Sequence, residues 1–90
     1  MKQVIDRKLY NTETATCVAE YETGGSVNDL GWYEESLYRT KNGRWFVATI
    51  TTYHGASLRT LTGGEAMQWL EDKSEIDTIE EHFAAQIEEG

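Results

Sequence analysis

Trp32-Tyr33-Glu34-Glu35-Ser36-Leu37-Tyr38-Arg39-Thr40, Lys41-Asn42-Gly43, Arg44-Trp45-Phe46-Val47-Ala48-Thr49-Ile50-Thr51-Thr52-Tyr53 is the stretch that decides the fold. Two runs rich in aromatic and β-branched residues flank a tight turn. Asn and Gly tolerate the positive φ that such a hairpin turn demands. The runs predict antiparallel strands over 32–40 and 44–53. Upstream, Ala15, Cys17, Ala19 and Tyr21 alternate with Thr16, Val18 and Glu20, the period of two expected of a half-buried strand. Gly24-Gly25-Ser26 to Asn28-Asp29 reads as a loop. Further back, Lys2–Tyr10 reads as a first strand that ends in an Asn11-Thr12-Glu13 turn. Downstream of His54-Gly55, Ser57–Leu61 reads as a short fifth strand.

The pattern changes at Thr62. Thr62-Gly63-Gly64-Glu65 has capping-box spacing, with Leu61 and Ala66 placed as a hydrophobic staple. Ala66, Met67, Trp69 and Leu70 supply the apolar side of a short helix. Ser74 with Asp77 three residues later predicts the start of a second helix. Ile76, Ile79, Phe83 and Ile87 would form its buried stripe. The expected architecture is α+β: a four- or five-stranded antiparallel meander sheet with two C-terminal α-helices packed on one face. Residues 1–90 read as one domain, mainly β over 1–61 and mainly α over 62–90.

Composition agrees. Ninety residues, 39% of them hydrophobic, give room for one modest core. No run approaches the ~20 apolar residues of a membrane span. Met1–Asp6 contains no apolar signal region. A single cysteine, Cys17, fits a reducing compartment. The expectation is a soluble protein of the cytoplasm.

Charge is strongly polarised. Residues 1–64 carry seven acids and seven bases, whereas residues 65–90 carry nine acids against Lys73 alone. The net charge of −8 therefore belongs to the last third. It repels nucleic acid and attracts basic surfaces.

Catalytic patterns fail in turn. His54 and His82 have no Cys or His at ligand spacing, so neither a metal nor a cofactor is expected. Cys17, mid-strand on the apolar side, reads as a small core residue rather than a nucleophile. Gly63-Gly64 opens a helix without the Gly-Lys-Ser/Thr of a phosphate loop. Glu34-Glu35 is a carboxylate pair in sequence, but strand neighbours point to opposite faces and cannot share a site. One of them must point towards the helix-covered face, where it would need a partner such as Arg39, Arg44 or a tyrosine hydroxyl. These readings predict a binding protein, not an enzyme.

Two surfaces are candidates for binding. Trp32, Tyr33, Tyr38, Trp45, Phe46 and Tyr53 crowd two strands, and alternation sends about half of them away from the helices. An open aromatic face would bind protein or a second copy of the chain; the alternative is that it completes the core. The acidic helices either solvate the molecule or place carboxylates where phosphates would lie. Asp77 and Glu81 stand about 6 Å apart along a helix, on the order of adjacent backbone phosphates. The candidate partner-binding residues are Glu71, Asp72, Glu75, Asp77, Glu81 and Glu88, with Glu34 and Glu35.

Three stretches carry a resemblance: Lys8–Ala15, Tyr33–Phe46 and Leu61–Glu71, the middle one the most specific. Their order and wording resemble a family of small proteins carried by phages, plasmids and conjugative elements, some members or relatives of which act as anti-CRISPR proteins. The chain departs from that pattern after Phe46, where Val47–Tyr53 replaces a Gly-rich segment. The resemblance brings no catalytic residues. It implies an inhibitor whose protein partner is a Cas effector subunit with a basic nucleic-acid groove, with no direct nucleic-acid or membrane binding, acting as monomer or homodimer. The alternative is an accessory protein of a mobile element that self-associates through its aromatic β-sheet face or an edge strand.

Overall fold

The computed structural model describes residues 1–24, 28 and 30–86. The decisive stretch folds as its pattern requires. Tyr33–Arg39 (β4) and Trp45–Thr51 (β5) pair antiparallel, with Leu37 opposite Val47. Gly43 takes φ +83° in the turn, and the Thr40 hydroxyl accepts from the Arg44 amide at 3.0 Å. Thr16–Glu22 (β3) precedes them and Gly55–Leu61 (β6) follows, giving a four-stranded meander in the order β3-β4-β5-β6.

The expected first strand is instead a hairpin. Lys2–Ile5 (β1) and Lys8–Asn11 (β2) pair antiparallel in a separate two-stranded sheet. Asp6 and Arg7 make the turn, both at positive φ (52° and 64°). That conformation matches strand twist, but it favours Asn and Gly, so an Asp-Arg pair gives little warning of it. The Asn11 turn forms as expected: its side chain accepts from the Glu13 amide at 2.9 Å.

β3 also departs from simple alternation. Cys17 pairs with Tyr38 and Ala19 with Leu37, so Val18 is an extra residue in a bulge. Cross-strand partners share a face, and the bulge changes the face beyond it. Ala19 joins Leu37 on the helix side, while Cys17 joins Tyr38 on the other. Cys17 is therefore exposed rather than in the core.

Gly63–Asp72 (α1) opens with the capping box in full. Glu65 N–H donates to Thr62 Oγ1 at 3.1 Å, and Thr62 N–H donates to Glu65 Oε1 at 2.8 Å. Ser74 does not cap the second helix. It closes the first, at φ +57°, with its amide donating to Glu71 O and that of Glu75 to Leu70 O. These two bonds are the 5→2 and 6→1 pair of a Schellman ending. Ile76–Phe83 (α2) then starts after Glu75, and Ala84–Gln86 continues as a 3-10 turn. Of the expected stripe, Phe83 is buried and Ile79 packs on the core, but Ile76 is 64% exposed. Ile76 opens the helix, one turn before the residues that reach the sheet. Ile87 lies outside the described residues.

Three layers result. On one side of the sheet, Leu37, Trp45 and Val47 meet Ala66, Trp69, Leu70 and Phe83. On the other, Phe46 and Leu58 meet Tyr10 of the hairpin, whose ring stands edge-on to Phe46 at 5.5 Å.

Candidate protein-binding surface

The acids of the helical third lie largely on the outside. Glu71 and Asp72 end α1, Glu75 precedes α2, and Asp77 and Glu81 stand one turn apart on it, with Glu80 beside Glu81. All are exposed except Glu75, which is half-buried. Asp72 accepts from the Gln68 side-chain amide at 2.9 Å. Among the described residues, none of Glu71, Asp77, Glu80 and Glu81 forms an ion pair. Glu88 lies outside the described residues. Glu65 belongs to the cap instead: the Thr62 amide and hydroxyl hold its carboxyl below the usual carboxylate range.

Glu34 and Glu35 part as alternation demands, and only one faces the helices. Glu35 is nearly buried and is the centre of a charged knot. Trp69 Nε1–H donates to its Oε1 at 3.0 Å, and the Thr49 hydroxyl donates to its Oε2 at 3.2 Å. Lys73 Nζ lies 3.8 Å from Oε1, and the exposed Arg59 guanidinium lies 3.9 Å from Oε2. Lys73 also sits over the Tyr21 ring at 4.6 Å and the Trp69 ring at 5.4 Å. The expected partners are thus replaced. Arg39 stacks over Trp45 at 5.2 Å instead. Thr49, Arg59, Trp69 and Lys73 arrive from β5, β6, α1 and its end, and only the tertiary fold brings them together. The polar groups of Glu35 are engaged inside the molecule.

Glu34 takes the opposite face, half-buried, directly across from Glu22 in the register and beside Glu20. Like charges facing each other across strands weaken pairing. Their field also reaches neighbouring groups. Burial, then Glu20, raises the Cys17 thiol above its ordinary value, and Cys17 Sγ–H donates to Glu20 at 3.7 Å. Burial, then Cys17, Glu20 and Glu34, raises Tyr38. Cys17 is therefore exposed but poorly ionised at neutral pH, the opposite of an activated nucleophile.

The aromatic residues of β4 and β5 do not form an open platform. Phe46 is fully buried, Tyr38 stacks on it at 5.0 Å, and the hairpin covers both. Trp45 lies under the helices against Phe83, with ring centroids 5.3 Å apart. Tyr53 alone of the six named aromatics is strongly exposed, beside His54 at the β5–β6 turn. A shallow groove of ≈370 Å³ runs there between Leu30, Trp32, Tyr33, Thr51, Tyr53 and His54. The buried Trp32 Nε1 has no hydrogen-bond partner among the described residues. The helix-side histidine, His82, lies edge-on to Trp45 at 5.7 Å.

Among the described residues, no three His, Cys, Asp or Glu side chains are grouped to hold a metal ion, and no helix is long and apolar enough to cross a membrane. No family model, curated protein or solved structure matches the chain.

Proposed function

We propose that the protein is a binding module whose acidic helical face docks on a basic, nucleic-acid-recognising surface of a partner protein. The observation that carries this reading is the outward set Glu71, Asp77, Glu80 and Glu81, without an ion pair among the described residues. Nine acids face one lysine in residues 65–90, and that lysine, Lys73, is drawn inward to Glu35. Among the described residues, no Lys or Arg of the helices offsets the outer carboxylates, so a Lys/Arg-lined groove is the surface they fit. The resemblance to mobile-element proteins supports a CRISPR–Cas effector as the partner and inhibition as the outcome: the module would block nucleic-acid entry or the activating rearrangement. No step requires catalysis or a cofactor.

The test is capture of purified effector complexes by the tagged protein at low and high salt, beside the triple variant Glu71→Lys, Asp77→Lys, Glu81→Lys. Capture that falls steeply with salt and disappears in the variant is expected. Undiminished capture by the folded variant would remove the acidic face from the mechanism. Failure to capture any effector would remove the CRISPR assignment.

A further inference from the structure

Among the described residues, the four-stranded sheet has two free edges, and they are unlike. β3 is a poor template for another strand. It bulges at Val18 and carries Glu20 and Glu22. Bulges and charges are how edges are kept from pairing. β6 has no bulge and a single charge. Gly55-Ala56-Ser57-Leu58-Arg59-Thr60-Leu61 pairs with β5 in unbroken register over all seven residues, contains no proline, and has Arg59 as its one charge. Five of its residues besides Leu58 and Leu61 are exposed. Its outer row of backbone N–H and C=O groups has no strand beside it among the described residues.

We infer that β6 pairs antiparallel with β6 of a second copy of this chain, about a two-fold axis at Leu58. The sequence of the strand selects that occupant. In this register Leu58 meets its own image on the axis, Ala56 meets Thr60, and Arg59 meets Ser57. The strand's only charge never faces itself, and a small residue stands opposite each β-branched or charged one. Shifting the axis by one residue to Arg59 would set two guanidiniums directly opposite each other. Ile50, 41% exposed, lies across from Ala56 on β5 and extends an apolar border beside the joint. On the helix side, Arg59 shares a hollow with Glu65 and Asp72 of α1. Pairing therefore places two arginines between two acidic helices. The two sheets become one continuous sheet, and the two acidic faces are carried on the same rigid body. This inference stands apart from the acidic-face reading and does not depend on it.

Sedimentation equilibrium across concentration, at low and high salt, tests it with Ser57→Lys and Ser57→Glu. Each substitution acts twice, once on each side of the axis. The dimer of the native chain is expected to tighten with salt, because screening relieves repulsion between two chains of net charge −8. Ser57→Lys places a lysine against the partner copy's arginine and weakens the dimer by about ten-fold; Ser57→Glu strengthens it by a similar factor. The glutamate variant keeps the test decisive even if the lysine variant folds poorly. A native chain that stays monomeric throughout, or a dimer indifferent to both substitutions, overturns the inference.

Discussion

On one face of the β3–β6 sheet, Leu37, Trp45 and Val47 meet two helices that are tied down by a charged knot at Glu35. On the other, Phe46 and Leu58 meet the β1–β2 hairpin through Tyr10 and Tyr38, by ring contact and apolar packing. The first face fixes geometry by directional bonds to a nearly buried carboxylate. The second relies on shape and area. Glu34 and Glu35, adjacent in sequence, fall on opposite sides of this division. One is a structural centre, and the other faces Glu22 across the strands.

The largest expected effect tests the apolar face. Phe46→Ala empties the fully buried site between Tyr10 and Tyr38, and should cost about 3–5 kcal/mol in urea unfolding. A loss below ~1 kcal/mol would mean that the hairpin does not close this core. Next comes the pair of glutamates. Glu35→Gln weakens the bonds from Trp69, Thr49 and Lys73 and should cost about 1–3 kcal/mol, whereas Glu34→Gln should stay within about 0.5 kcal/mol. Equal losses would erase the contrast between the faces. A smaller loss than that of Glu35→Gln concerns how the helix side begins. Thr62→Ala removes the cap and should cost about 1 kcal/mol. The Glu65 carboxyl, held low by Thr62, is more acidic in the folded chain than in the unfolded one. Its contribution is complete above the ordinary carboxylate value of 4.5 and fades as pH falls through the folded value. Acid titration of helical circular dichroism should therefore show α1 weakening in that range, with the dependence reduced in Thr62→Ala. A titration unchanged by the substitution would show that the cap does not set it.

The meander and the start of α1 were legible because their signals are local. Lys41-Asn42-Gly43 sets a turn by backbone freedom, and Thr62 with Glu65 completes a box within four residues. The opposite facing of Glu34 and Glu35 follows from strand period alone. What escaped was either unsignalled or non-local. Asp6-Arg7 adopts a turn that Asp tolerates but Arg does not advertise. One extra residue at Val18 reverses the faces assigned along β3, and so misplaces Cys17. Ser74 can cap a following helix or end a preceding one, and the bonds from Glu75 and Ser74 back into α1 decide for the second. Of the candidate site, the exposure of Glu71, Asp72, Asp77 and Glu81 was readable from helical period. The inward engagement of Glu35 was not, because Trp69 lies 34 residues away in sequence.

The position of Lys73 has a consequence for how the molecule moves before it touches anything. With the only base of the last third drawn towards the sheet, the outer side of the helices presents carboxylates without a lysine or arginine among the described residues. In the field of a polycationic surface the molecule experiences a torque as well as a pull. Under the proposed docking, that torque would turn the helices towards the surface during diffusion and before collision.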